Sequence, residues 1–191
     1  MLIKMKSGIF VLGFFITFFS SAQEIKDFSL PNIADGKNVS LEYFKEKAGV
    51  ILIFFNHECP YNTYYLERIK KISVDFQEVP LLLIHTGSAP PDSPNSMKEF
   101  YRQQNLKVPY LSDKTGVAME MFNAKKTPEV FLIKIKSGAY HIFFHGSIDD
   151  NPQVEDDVQK YYLKDALTAM LKGTEPTIKE TRPIGCALQK P

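Results

Sequence analysis

Two thiols, Cys59 and Cys186, are all the sulfhydryl chemistry in 191 residues, and the first is set where a nucleophile would be. Cys59 follows the apolar run Gly49-Val50-Ile51-Leu52-Ile53-Phe54-Phe55 and directly precedes Pro60. Proline is favoured at the first helical position, because its missing N–H would have been unpaired there anyway. Cys59 then stands at a helix N-terminus, where free N–H groups and the positive end of the dipole favour an anion. That placement draws a thiol pKa from about 8.5 toward neutrality and populates thiolate, the form that attacks. The competing reading is an inert core cysteine, the common fate of a free thiol; the proline-started helix favours the reactive one. His57, two residues upstream, could serve a thiolate as base, but a strand-to-loop position more readily turns it elsewhere. His57, Cys59 and His85 follow no recognised ligand spacing, so no metal is expected. Tyr61, Tyr64 and Tyr65 read as core and groove-lining residues, and Asp149-Asp150-Asn151 as a polar turn.

The elements that must position Cys59 are those of an α/β unit. Val50–Phe55 is continuously apolar and β-branched, the pattern of a strand covered on both faces. Val79–Ile84 repeats it, and Glu129–Ile135 and Tyr140–His145 read as two more strands, joined by the turn Lys136-Ser137-Gly138 as a hairpin. Phe28–Leu30 and Val39–Leu41 suit an N-terminal hairpin around Ala34-Asp35-Gly36. After Pro60, Tyr65, Ile69, Ile72 and Phe76 mark one helical face, with Arg68, Lys70 and Lys71 expected outward. Ser96–Gln104 and Thr115–Phe122 are shorter helices, and Tyr161–Leu171 is an amphipathic helix stopped by Lys172-Gly173. The expected order is hairpin, β, α, β, α, α, β, β, α, followed by a proline-containing tail over residues 174–191. Thr127-Pro128 opens a strand, a place where an ordinary trans proline is tolerated.

Composition bounds the function. Hydrophobic residues at 44% and charged residues at 24% are globular proportions. With 23 Lys+Arg against 22 Asp+Glu there is no global field to gather nucleic acid. Lys4 and Lys6, the apolar run Ile9–Phe19 and the small residues Ser20-Ser21-Ala22 form a secretory signal peptide over residues 1–22. The alternative is an uncleaved segment, which would be the sole membrane contact. Export, to a periplasm or beyond, would remove two lysines, turn the net charge from +1 to −1 and leave both cysteines where disulfides persist.

The stretch Phe54-Phe55-Asn56-His57-Glu58-Cys59-Pro60-Tyr61, with Lys126-Thr127-Pro128-Glu129-Val130 further on, resembles the thioredoxin-like superfamily. Within it the chain looks most like the redoxin branch (alkyl hydroperoxide reductase/thiol-specific antioxidant). Pro109–Asp113, Gly146–Asn151 and Thr181–Cys186 are similar to a redoxin group in which Asn-His-x-Cys-Pro-Tyr recurs with a C-terminal Pro-x-Gly-Cys. The resemblance spans Ile25 to Lys190. It implies a thioredoxin-like α/β fold, a central mixed sheet flanked by helices with an N-terminal β-hairpin and a C-terminal tail. It also implies a cis Thr127-Pro128 bond with the proline facing Cys59. The domain would run over residues 23–173 and the tail over 174–191.

Two departures from the family pattern direct the functional expectation. Cys59-Pro60-Tyr61-Asn62 lacks the second cysteine of a dithiol thioredoxin. Leu52 and Asn56 hold the positions of the Pro and Thr of a peroxiredoxin Pro-x-x-x-Thr-x-x-Cys motif, which counts against a fast peroxidase. Cys186 is the candidate for the missing partner, its neighbour Gly185 permitting close backbone approach. A Cys59–Cys186 bond could be catalytic or a structural clamp; alternatively Cys186 could stay free to pair with another protein. The resulting expectation is thiol–disulfide exchange in redox homeostasis. Cys59 attacks, Cys186 resolves, Pro128 holds a substrate strand, and Pro60, Tyr61 and Thr127 line its groove. Protein thiols or disulfides, a small thiol or a peroxide would be the partners, with a separate reductant and without organic cofactor or nucleic acid. The alternatives are a thiol peroxidase and a redox-inert binding domain stapled by Cys59–Cys186.

Overall fold

The computed structural model describes residues 25–87 and 93–190; the signal-peptide reading of residues 1–22 lies outside them. Its centre is a five-stranded mixed sheet. β3 (Gly49–Phe54) and β4 (Leu81–Thr86) are buried along their whole length, as the apolar runs Gly49–Phe54 and Leu81–Ile84 require, and the polar His85 and Thr86 at the end of β4 are buried with them. They pair in parallel with each other, and β4 pairs in parallel with β5 (Tyr110–Asp113). On the other side β3 runs antiparallel to β7 (Glu129–Lys136), which forms a hairpin with β8 (Ala139–Gly146). The order is β5-β4-β3-β7-β8. Ser137 and Gly138, both with positive φ, make the β7–β8 turn. β1 (Ser29–Pro31) and β2 (Asn38–Ser40) form the N-terminal hairpin as a separate antiparallel pair.

Alternation along β3 divides the core in two. Ile51, Ile53 and Phe55 face α1 (Pro60–Asp75) and α4 (Tyr162–Leu171), meeting Tyr65, Ile69, Ile72, Leu163 and Leu167. Val50, Leu52 and Phe54 face α3 (Val117–Phe122) and the N-terminal hairpin, meeting Phe122, Met119 and Leu41. α2 (Pro94–Gln103) adds Met97 and Phe100 to the first core. Gly173 ends α4 with φ 72°, its N–H donating to the Met170 carbonyl at 3.0 Å.

Three expectations are corrected. Tyr110–Asp113 is a fifth strand of the sheet rather than a connection between two helices, so the order gains a β between α2 and α3. Four residues bounded by Pro109 and Lys114 are too short for a periodicity to show in sequence. Arg68 is not turned outward: it is 6% exposed, and its Nη1 donates to Asp149 Oδ2 at 2.6 Å and to the Asn151 carbonyl at 2.8 Å. Asp149, 2% exposed, also accepts from the Tyr65 hydroxyl at 2.8 Å, so it is a buried anchor as well as part of a turn. Burial and the adjacent Asp149 carboxylate push the Tyr65 phenol well above its usual range, which keeps it a donor. Asp150 behaves as the turn reading expects, capping Gln159 and Lys160 N–H at 3.0 and 3.1 Å.

Candidate functional site

β3 delivers the chain to the carboxyl edge of the sheet between its neighbours β4 and β7, a crevice in which open α/β folds bind ligands. Cys59 is the N-cap of α1, extended at φ −79° and ψ 123°, and Pro60 occupies the first turn. The residue is 5% exposed. Its sulfur is bonded to that of Cys186, which lies 127 residues further on, with Cα atoms 6.1 Å apart. The bond thus joins the start of α1 to the C-terminal tail.

The Thr127-Pro128 peptide is cis and forms the opposite wall. Cys59 Sγ lies 3.2 Å from the Thr127 carbonyl oxygen. As half of a disulfide it carries no proton; on reduction the thiol gains an acceptor at that place. The Thr127 hydroxyl is a junction: Oγ1 accepts from Asn56 N–H at 2.8 Å and Asn62 Nδ2 at 2.6 Å, and donates to the Phe54 carbonyl at 3.2 Å. Asn62, fully buried, also donates to the Asn56 carbonyl at 2.7 Å. Asn56 in turn exchanges two hydrogen bonds with Thr86 at the end of β4. The cysteine loop, the first turn of α1 and the proline loop are therefore one hydrogen-bonded unit. Asn62 occupies the place of a second cysteine in a Cys-x-x-Cys motif and acts as a bolt between two loops. A polar residue in the first turn of an otherwise amphipathic helix was its only trace in the sequence.

The tail completes the site by β-pairing. β6 (Lys126–Thr127) runs antiparallel to β9 (Cys186–Ala187), with Thr127 opposite Cys186. Leu188 N–H donates to the Lys125 carbonyl at 2.9 Å, and the Leu188 side chain packs against the second core. A Cβ on Gly185 would collide with the Thr127 oxygen and lie 2.7 Å from Thr127 C and 3.0 Å from Pro128 N. Upstream, the tail is laced to the end of β8. His145 N–H donates to the Lys179 carbonyl at 3.0 Å, Thr181 N–H to the His145 carbonyl at 2.9 Å, and Ser147 N–H to Thr181 Oγ1 at 2.9 Å. Glu129, 1% exposed, accepts the Lys125 and Lys126 N–H groups at 2.7 Å each and bonds His145 Nε2 at 2.6 Å, fixing the proline loop from behind.

Of the residues singled out in sequence, Cys59, Pro60, Thr127, Pro128 and Cys186 meet here. Tyr61 lies on the first turn of α1, half-buried, its ring 6.4 Å edge-on from the half-exposed Tyr64. Tyr65 belongs to the core, whereas Tyr64 at 49% exposure does not. His57 is aimed away from the thiol: Nε2 bonds Ser96 Oγ at 2.7 Å, Nδ1 the Tyr110 hydroxyl at 3.2 Å, and the ring stacks on Phe100. Leu52 is buried in the second core, and the Asn56 amide is committed to Thr86.

A central mixed sheet, helices on both faces, a cysteine opening a helix and a cis-proline loop beside it define a thioredoxin-like redoxin. The AhpC/TSA family model matches residues 22–140, more than half of the chain, and the chain belongs to the AhpC/TSA family. The matched region stops before most of β8, α4 and the tail that carries Cys186. Among solved structures, an uncharacterised conserved protein from Geobacillus kaustophilus is 25% identical with a TM-score of 0.79, covering 88% of this chain and 90% of that one. A hypothetical protein from Sinorhizobium meliloti 1021 is also 25% identical, with a TM-score of 0.78 and coverages of 88% and 93%. A secreted Mycobacterium tuberculosis disulfide oxidoreductase, described as homologous to Escherichia coli DsbE, shares the fold at 16% identity (TM-score 0.55, coverages 74% and 95%). No curated protein matches.

Proposed function

We propose that the protein is an exported redoxin of thiol–disulfide exchange, with Cys59 as nucleophile and Cys186 as resolving thiol. The observation that carries this reading is the bond from the α1 N-terminus to a tail paired against the cis-proline loop. In the reduced protein the Cys59 thiolate, favoured by the helix N-terminus, attacks a substrate disulfide. One substrate sulfur leaves as thiolate and the other remains in a mixed disulfide with Cys59. The Cys186 thiolate then attacks Cys59 Sγ, releases the second substrate thiol and forms Cys59–Cys186. Two electrons pass to the substrate, and a separate dithiol reductant resets the protein. Pro128 and Thr127 hold the incoming strand, while Pro60 and Tyr61 border it. Residues 23–173 would make up the catalytic domain and residues 174–191 the tail.

Export fits the same chemistry. A disulfide between the two cysteines persists in an oxidising compartment, and residues 1–22 have the pattern of a leader cut after Ala22.

Thiol trapping on protein from its native compartment tests the assignment. Cys186→Ser should accumulate mixed disulfides through Cys59, and Cys59→Ser should lose turnover of a protein disulfide such as insulin's. Undiminished reductase activity in Cys59→Ser would remove Cys59 as the nucleophile. Because Cys59 is 5% exposed under a laced-down tail, a permanent staple is the second reading. A reduction potential below about −300 mV would decide for the staple.

A further inference from the structure

The tail occupies the groove as an external strand would, and its fit specifies what that strand must be. Gly185 sits over the Thr127-Pro128 peptide so closely that a Cβ would overlap the Thr127 oxygen and crowd Thr127 C and Pro128 N. All three are backbone atoms of a loop that cannot retreat. Thr127 is 2% exposed, its hydroxyl is bonded to Asn56, Asn62 and Phe54, and Glu129 grips Lys125 and Lys126 from behind. Neither side of the contact is a flexible side-chain tip that could swing aside.

The positions flanking that contact differ in what they ask. Leu188, two residues after Cys186, packs on the second core while its N–H bonds the Lys125 carbonyl, so an apolar side chain belongs there. Ile184 is 42% exposed and Ala187 is exposed, so those positions place little demand on the strand.

We infer that the groove beside Cys59 selects extended polypeptide disulfides of the form x-Gly-Cys-x-apolar, glycine being required immediately before the reacting cysteine. This rests on the proposed exchange activity and names its substrate class. In the step, Cys59 thiolate attacks the sulfur of the substrate cysteine opposite Thr127; a new S–S bond forms, the old one breaks, and the departing sulfur leaves as thiolate. The strand pairs with Lys126-Thr127 as Cys186-Ala187 does in the resting protein. The tail is thus a tethered competitor that a substrate displaces, and a residue larger than glycine before the cysteine is penalised as overpacking.

The test uses full-length reduced Cys186→Ser protein, leaving Cys59 as the single thiol. Two synthetic peptides, Ile-Gly-Cys-Ala-Leu and Ile-Ala-Cys-Ala-Leu, are each activated at their cysteine as the mixed disulfide with thionitrobenzoate. Attack by Cys59 releases that chromophore and leaves the peptide on the protein. Both peptides displace the same tail, so the ratio of rates isolates the glycine. Overpacking costs about 1–3 kcal/mol, so the glycine peptide should react at least about fivefold faster. Equal rates, with both peptides reacting, would overturn the selectivity and leave the exchange reading standing. No reaction with either peptide, or with the small-molecule aryl disulfide itself, would overturn both. In a second measurement, Gly185→Ala added to the Cys186→Ser protein should weaken the docked tail and speed reaction with the glycine peptide by a similar factor. An unchanged rate would mean that the close approach imposes no selection.

Discussion

Reduction of Cys59–Cys186 should lower the unfolding free energy by about 5 kcal/mol, the loop-closure value for a bond spanning well over a hundred residues. The bridge closes 127 residues of sequence. The tail is also held non-covalently, by the β9–β6 pairing, by Leu188 on the second core and by residues 179–181 laced to β8. On the premise that these contacts hold the reduced tail, the two sulfurs stay adjacent with or without the bond. The bond therefore restricts the native state little and the unfolded chain greatly. The same thermodynamic cycle makes the folded disulfide harder to reduce than that of the unfolded chain by about 100 mV, since about 30 mV corresponds to about 1.4 kcal/mol for a two-electron couple. Urea unfolding of the oxidised and reduced protein supplies one side of the cycle, and glutathione redox titrations with and without urea supply the other. For a chain of this size the midpoint temperature should fall by about 10–20 °C. A loss below about 2 kcal/mol at unchanged m-value, or a redox gap below about 40 mV, would refute the premise that non-covalent contacts hold the reduced tail in register.

Two further outcomes follow from buried charges. Arg68→Met leaves Asp149 buried without its cation and should cost about 3–5 kcal/mol in urea unfolding, most of it recovered in Arg68→Met/Asp149→Leu; a single-variant loss under about 1 kcal/mol would mean Arg68 is solvated. Burial raises the Asp113 carboxyl pKa above its usual value, opposed by the Met119, Ala118 and Val117 N–H groups. In the window above about 4 the folded state then holds the proton more tightly than the unfolded chain, so this group subtracts stability as pH rises. Asp113→Asn, whose amide oxygen can still accept from Met119 N–H, should flatten that part of the stability–pH curve; an unaltered curve would show that Asp113 is not its source.

The local elements were largely legible, since each is set by short-range periodicity. The apolar runs of β3 and β4, the stripe Tyr65–Ile69–Ile72 and the α4 stop at Gly173 all appear where residue spacing places them. β5 escaped because four residues between turns carry too little pattern. Arg68 was misplaced although it lies three residues after Tyr65 and four before Ile72, within the apolar stripe itself. A cation there, with the acidic pair Asp149-Asp150 read only as a turn, is the trace of a buried ion pair.

The chain alone determined that Cys59 opens a helix at the end of a buried strand, and that Gly185 permits a backbone to pass closely. Both are consequences of neighbours in sequence: a β-branched run, a proline, a missing Cβ. What only the tertiary structure decided is which groups separated by long stretches of chain meet. Asn62 with Thr127, Arg68 with Asp149 and Cys186 with Cys59 are 65, 81 and 127 positions apart. Such pairs leave no period behind, because they are chosen by the sheet order that brings β3 beside β7 and lays the tail on the cis-proline loop. The glycine before Cys186 acquires its meaning there, as the residue whose absent side chain lets a strand reach the sulfur.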